Sequence, residues 1–496
     1  MKSVRPRRGI TSLHQHQVKD RRLGEDLCAG SNALLSEVTT RGTLHGSVDT
    51  RLSPIYDENV HARIWRTALT GPPTLFDDDG WPQYTQGAHN NTPPSDTEPG
   101  VYVSTAADGW TAGFFPDSLW QLYHRRRDLQ SELAFKSEPT LEDWLATAQD
   151  WTDPLIANRN LTNTHDIGFL AKPFQSALRF NRETRWLPVL GQMSYNLASR
   201  FVPTAGVIRS WDTDNSSYSS RGSHEDSVLV IIDNMMNLAL LMQSAVEYTH
   251  NDRLREIAAS HANRTRDNHF RPDGSSYHVC DYSGSTGDVY LCRTAQGLSD
   301  NSTWARGQAW AIYGFAEIYS LTKDPSYLET AMRAANYFIE HLPQDGLPFW
   351  DFDAPYIPNV APRDSSAATI AASGLMLLQQ QIDSCGRAAG AQNYTDAATR
   401  LLRSATELAL AGEIGFEDID QAKPGASLGA VTEIDTPANT TVSSGFESIL
   451  MHGTANNNPN AGDGRSYDTG LVYGDYYLIE ASNRLLEIAR DRKYEK

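Results

Sequence analysis

The chain has 496 residues, of which 40% are hydrophobic and 21% charged, and a formal net charge of -18. That is apolar material for a sizeable core, and it allows either one large domain or two to three smaller ones. The negative balance, with no basic stripe to offset it, argues against a nucleic-acid partner, and no run of ~18 apolar residues could span a membrane.

Residues 1–52 read as a poorly ordered extension, charged and rich in small polar residues, ahead of a domain over 53–496. The start MKSVRPRRG is basic but is followed by no apolar h-region, which favours a cytoplasmic location. Sequons at Asn90, Asn160, Asn215, Asn263, Asn301, Asn393 and Asn439 lean toward secretion, so the compartment stays open. Residues 76–100 form a loop of Asp, Gly, Asn and Pro.

Beyond that loop, apolar helices alternate with amphipathic ones. The apolar set is predicted from Thr111, Asp166, Val230, Gly307, Ser365 and Gly474. The amphipathic set includes stretches from Asn59, Leu141, Arg253, Ser326 and Tyr394. Helices apolar all round are buried, and helices with one apolar stripe lie outside. The apolar helices recur every 55 to 75 residues or so, with a longer last gap, and no regular set of strands accompanies them. The pattern predicts an all-α toroid of six hairpins, an inner ring inside an outer one. The alternative is a helical solenoid, which would show a tighter period.

The residues suited to chemistry gather at the starts of the apolar helices. Asp233 sits in VIIDNMMNLALLM, a predicted helix with almost no other charge. A buried carboxylate raises its pKa and can then hold a proton for general-acid work. Its other reading is a structural Asp bonded to backbone. Asp166, after His165 in NTHDIGFL, is either the second carboxylate of a pair or a helix N-cap. Trp110, Trp211, Trp304 and Trp310 could cover the flat C–H faces of sugar rings or belong to the core. Arg306 and Arg363 could grip a carboxylate with two parallel hydrogen bonds, or lie at the surface or a helix cap. His278 and Gln296 complete the polar candidates. Cys280 and Cys292 are close enough to pair, with free buried thiols as the alternative, and neither belongs to a metal-binding CxxC. No HExxH, GxSxG, Walker or dinucleotide signature is present, so no metal or organic cofactor is implied.

Over residues 105 to 485, GWTAGFFPDSLW, HDIGFL, VIIDNMMNLALL, SSYH, STWARGQAWAIYGF, FWDFDAP, RDSSAA and GDYYLIEA occur in order. In these motifs the chain resembles the unsaturated glucuronyl hydrolases, glycoside hydrolase family 88. The resemblance implies an (α/α)6 barrel and no cofactor, with an acidic unsaturated oligosaccharide as substrate. It implies Asp233 as catalytic acid/base and Asp166 as its essential partner. It also implies a pocket of Trp110, His165, Trp211, His278, Gln296, Trp304, Arg306 and Trp310, with Ser365 and Ser366 at the uronate carboxylate.

The implied reaction is hydration of an enol ether. Protonation at carbon 4 places positive charge at carbon 5, water adds there, and the resulting hemiketal opens and expels the next sugar. The sequence departs from the family pattern at Asp117, around Cys280–Cys292 and over 412–470. No lysine or arginine cluster suited to sulfate is evident, which points away from heavily sulfated fragments. Competing expectations are an unsaturated rhamnogalacturonyl hydrolase, a non-catalytic sugar-binding toroid and an epimerase on the same barrel.

Overall fold

The computed structural model describes residues 50–73, 80–85, 100–130, 135–212, 224–357, 361–386, 393–419, 445–461 and 465–494. Residues 1–49, and with them most of the predicted extension, lie outside this set, as do Cys28, Asn90, Asn215 and Asn439. A 3-10 turn, Thr50–Tyr56, seats Leu52 and Ile55 in the main core.

Twelve α-helices occur among the described residues. Six lie outside: α1 (Glu58–Ala68), α3 (Leu141–Thr152), α5 (Leu187–Ser199), α7 (Asp252–Asn268), α9 (Pro325–Glu340) and α11 (Tyr394–Ala409). Six lie inside: α2 (Phe114–His124), α4 (Ile167–Asn181), α6 (Leu238–Gln243), α8 (Ala305–Thr322), α10 (Ser365–Ser384) and α12 (Val472–Tyr494). The two kinds alternate strictly along the chain. Each inner helix touches the next, through a 3-10 turn at α6, and α12 returns to α2, so the ring closes. This is an (α/α)6 barrel.

Local chemistry sets the helix starts. Thr140 and Asp143 form a capping box on α3, and Asn251, Asp324, Asp364 and Asn393 cap α7, α9, α10 and α11 with their side chains. Pro325 occupies the first turn of α9, where its missing N–H leaves no bond unmade. The barrel closes tightly because inner helices meet at small residues. A Cβ on Gly374 of α10 would stand 2.9 Å from the Cα of Tyr313 on α8.

A layer of aromatic rings crosses the lumen near the inner-helix starts. Phe114 to Phe169 is 5.3 Å, Phe169 to Trp310 5.4 Å, Trp310 to Tyr477 5.4 Å and Tyr477 to Phe114 5.9 Å, centroid to centroid. All four side chains are buried, each contributing roughly 1.5–3 kcal/mol.

Among the described residues nine short strands, absent from the sequence expectation, form four small antiparallel sheets. They are β1 (Trp81–Thr85) with β2 (Tyr102–Thr105), and β3 (Phe201–Val202) with β4 (Val207–Ile208). A third sheet joins β5 (Ser227–Ile231), β6 (Val279–Ser283) and β7 (Val289–Arg293), and the last pairs β8 (Gly453–Asn456) with β9 (Ser466–Thr469). The helix expected from Val230 is therefore corrected. Its first residues close β5, Ile232–Asn237 forms a 3-10 turn, and only then does α6 begin. The β-branched residues Val228, Val230 and Ile231 fit a fully buried strand better than a helix.

Candidate active site

Backbone hydrogen bonds lay four chain segments side by side at the inner-helix starts. Thr164 bridges Trp211, and the His165 amide donates to the Ser210 carbonyl at 3.0 Å. The Ser210 amide donates to Leu229 at 2.8 Å, and the Ile232 amide donates to His278 at 2.9 Å. Strand neighbours lie ~4.8 Å apart, so this arrangement gathers Asp166, Trp211, Asp233 and His278 from distant parts of the chain.

Asp166 precedes α4, but its side chain makes no capping hydrogen bond, which removes the N-cap reading. Instead Oδ1 lies 3.1 Å from His165 Nε2, and Oδ2 accepts from the Thr164 hydroxyl at 2.7 Å. Burial acts to raise this carboxyl's pKa. His165, Thr164 and Arg200 outweigh it and hold the group below the usual carboxylate range.

Asp233 behaves the opposite way. Burial pushes its pKa up to about 6, reinforced by the Asp166 charge and opposed by His165 and Arg306. Its Oδ1 is buried without a hydrogen-bond partner. The side chains of Asp166 and Asp233 keep 14% and 15% exposure, so neither is fully sealed from solvent. Two neighbouring carboxyls with oppositely displaced pKa values supply a proton donor and a standing negative charge.

The remaining candidates fall into distinct places. His278 accepts the Ala295 amide on Nδ1 at 3.1 Å and lies tilted against Trp304, whose indole is buried, at 4.3 Å centroid to centroid. Gln296 donates its side-chain amide to the Ala455 carbonyl at 2.7 Å. Trp110 is half-buried beside Phe169 and Tyr473, and Trp211 packs at the edge of the β5–β6 sheet. Trp310 is fully buried in the aromatic layer, so it floors the cup and offers at most one edge.

Arg306 does not present the free fork expected of it. Nη1 donates to Asp364 Oδ2 at 2.9 Å and to the Thr454 carbonyl, and Nη2 donates to the Ala455 carbonyl at 2.6 Å. The guanidinium lies over Trp304 and Tyr473, at 4.5 and 5.2 Å from the ring centroids. It serves as a fixed positive charge. Arg363 lies apart, paired with Asp345 at 2.6 Å and stacked over Phe349. The Ser366 hydroxyl donates to Asp364 Oδ1 at 2.6 Å, and the Ser365 amide donates to the His452 carbonyl at 3.1 Å. The RDSS motif thus anchors Arg306 through Asp364.

Three contributors escaped the sequence reading. Tyr473, one residue before the predicted start of the last inner helix, buries an unpartnered hydroxyl beside Trp110. Ser210 is the splice between the two aspartate segments, with its hydroxyl also accepting the Ile231 amide at 2.9 Å. The third is β8, from the divergent 412–470 stretch, whose carbonyls hold Arg306. A disulfide joins Cys280 to Cys292 across β6 and β7, and so ties the strands that flank His278 and Gln296.

No family model matches the chain. It is 34% identical over 405 residues to an unsaturated glucuronyl hydrolase of Formosa agariphila, covering 81% of this chain and 86% of that one. It is 29% identical to an unsaturated glucuronyl hydrolase of Bacillus sp. strain GL1, covering 77% and 88%. A crystal structure of an unsaturated glucuronyl hydrolase specific for heparin superposes with a TM-score of 0.68 at 29% identity, covering 89% of this chain and 99% of that one. No helix among the described residues is long and apolar enough to cross a membrane. The closed ring of hairpins and the collinear similarity along most of its length lead to one assignment: this chain belongs to the unsaturated glucuronyl hydrolase family of glycoside hydrolases.

Proposed function

We propose that this enzyme releases a 4,5-unsaturated uronic acid from the non-reducing end of lyase-generated oligosaccharides. One observation carries the reading. Asp233 Oδ1, His165 Nδ1, His278 Nε2, Arg306 Nε and the Tyr473 hydroxyl are all buried without hydrogen-bond partners. Buried polar atoms are rarely left unpaired, and several together mark a cup shaped for a polar ligand.

Asp233 holds the proton and delivers it to carbon 4 of the enol ether. Carbon 5 then carries positive charge shared with the ring oxygen, and the ionised Asp166 stabilises it. Water adds at carbon 5 and loses its proton to Asp233, which restores the acid. The hemiketal ring opens, carbon 1 becomes an aldehyde, and the next sugar leaves with its hydroxyl. Trp110 and Trp211 cover sugar faces, His278 and Gln296 meet hydroxyls, and Trp304, Trp310 and Arg306 hold the wall. Ser365 faces the uronate carboxylate in this reading, supplemented by the Arg306 charge, while the Ser366 hydroxyl keeps its one proton on Asp364.

The test is a panel of unsaturated disaccharides derived from chondroitin, heparin and pectin, followed by the disappearance of the conjugated-alkene absorbance. Turnover of glucuronyl substrates that vanishes in Asp233→Asn is expected. Full activity in Asp233→Asn, or turnover confined to the pectin-derived disaccharide, overturns the proposal.

A further inference from the structure

The barrel lumen continues beyond the aromatic layer. Three residues past each aromatic, on the same inner helix, stands a polar side chain: Asp117 after Phe114, Lys172 after Phe169, Tyr313 after Trp310 and Glu480 after Tyr477. Positions i and i+3 share a helix face, so these groups point into the lumen one turn deeper than the rings. They line a cavity of about 290 Å³ on the side of the layer away from Asp166 and Asp233.

Part of this lining is satisfied by itself. Glu480 accepts the Tyr313 hydroxyl at 2.9 Å and the Ser373 hydroxyl at 2.6 Å, and Arg484 donates to Tyr313 at 2.7 Å. Part is not. Asp117 is 1% exposed and its Oδ1 has no partner. The Lys172 ammonium lies over the rings of Tyr476 and Tyr477, at 5.3 and 5.6 Å, with no ion pair among the described residues. The Asp117 carboxyl, held by Ser176 and Tyr476 with Oδ1 left unpartnered, and the Lys172 ammonium whose charge it feels therefore face one chamber. The proposed reaction uses neither.

We propose that this chamber is a second carbohydrate site, taking one neutral monosaccharide ring. Of the lining charges, Glu247 and Arg179 are exposed at the rim, and the deeper carboxylates Asp117, Glu317 and Glu480 are nearly balanced by Lys172 and Arg484. A net-charged ligand would upset that balance, whereas a polyol donates to carboxylates and accepts from an ammonium at once. Tyrosine rings supply the apolar wall that a sugar's C–H face needs. The volume lies at the small end of ligand pockets, which suits one ring and excludes an oligosaccharide. The inference is independent of the substrate proposed for the upper cup.

The test uses full-length protein and four probes, free glucose, galactose, rhamnose and N-acetylgalactosamine, by saturation-transfer NMR and titration at millimolar concentration. At least one sugar is expected to bind wild type and Asp233→Asn alike. Its Kd should rise roughly tenfold or more in Asp117→Ala and in Lys172→Met, while kcat/KM for the unsaturated disaccharide stays unchanged in both. Lys172→Met keeps the chain length and apolar stem, so it decides the matter if Asp117→Ala fails to fold. Absence of binding by all four sugars overturns the inference, as does binding that both chamber variants leave intact.

Discussion

His278 Nε2 faces Asp233 Oδ1 across 4.0 Å, and neither atom has a hydrogen-bond partner among the described residues. The gap is too long for a hydrogen bond. The Ala295 amide occupies Nδ1, so the ring carries its proton on Nε2, aimed into the cup. Burial, with the charge of Arg306, drives this imidazole's pKa far below its usual value and keeps it neutral. A neutral donor beside a protonated acid is arranged to receive a substrate oxygen rather than to exchange protons.

His278→Ala should therefore weaken substrate binding more than it slows chemistry. Losing one hydrogen bond to a polar ligand group corresponds to about 2 kcal/mol, roughly a 30-fold fall in kcat/KM. Steady-state kinetics on the unsaturated disaccharide checks it. A kcat effect with unchanged KM would place His278 in proton transfer instead.

The displaced pKa of Asp233 sets the pH profile. With the acid raised from 3.8 to about 6, kcat/KM should decline as pH rises through about 6. The Asp166 charge contributes to that rise, so the residual activity of Asp166→Asn should lose its alkaline limb at lower pH than wild type. Stability follows the same sign. Between about 4 and 6 the folded state holds a proton that the unfolded chain has released, so Asp233's contribution falls as pH rises. Asp233→Asn should then melt higher than wild type at pH 7 and show no gain at pH 4. Equal melting shifts at both pH values would contradict the assigned pKa.

Much of this site was legible beforehand, for physical reasons. Asp166, Asp233, Trp304 and Ser365 stand beside polar or aromatic clusters opening apolar stretches, and the folded chain places Asp166, Trp304 and Ser365 at inner-helix starts and Asp233 in the 3-10 turn that leads into α6. What stayed hidden depends on backbone. The carbonyls of Thr454 and Ala455 that hold Arg306 carry no residue-type signal, and neither does the splice at Ser210. Helix α5 was missed because Pro188 and Gly191 break up its apolar pattern, although Pro in the first turn is itself a start signal. The strand before Asp233 was missed because a continuous apolar run does not distinguish a buried strand from a buried helix.

Arg306 and Asp364 form a pair with 1% and 0% side-chain exposure. Removing one partner strands the other charge. Asp364→Ala should destabilise the enzyme by about 3–5 kcal/mol. Asp364→Asn keeps a carbonyl acceptor for the first turn of α10 and should cost less. Thermal melts of the two variants distinguish loss of charge from loss of the cap. Equal melting temperatures in the two variants would show that the loss is of charge alone and that the capping bond contributes nothing.

The disulfide spans 12 residues of sequence, and for a short loop of that kind the constraint is worth roughly 3 kcal/mol. Replacing Cys280 and Cys292 with Ser should lower the melting temperature. It should also raise KM more than it lowers kcat, because β6 begins just after His278 and β7 ends just before Gln296. A variant that melts lower with unchanged KM would mean the strands hold those two side chains without the bond.

The last prediction concerns spacing rather than chemistry. Gly168 lies two residues after Asp166 and packs against the turn carrying Asp233. A Cβ there would stand 2.6 Å from the Cα of Asn237 and 2.5 Å from its Oδ1. The same Oδ1 accepts the Phe169 amide at 3.0 Å, so the contact is both tight and bonded. An added methyl cannot be absorbed by a flexible side-chain tip, because backbone stands in its way. Gly168→Ala must push α4 away from the 3-10 turn and widen the distance between the two carboxyls. Misplacement of about 1 Å can lower a rate on the order of 10²-fold, so kcat should fall by that order. The folded barrel should survive, because a small-to-large change in a packed interior costs typically 1–3 kcal/mol. The measurement is kcat alongside the pH profile. As Asp166 withdraws, its charge raises the Asp233 pKa less, and the alkaline limb should move to lower pH. A fall in kcat with the limb unmoved would mean that the two aspartates are not coupled through this contact.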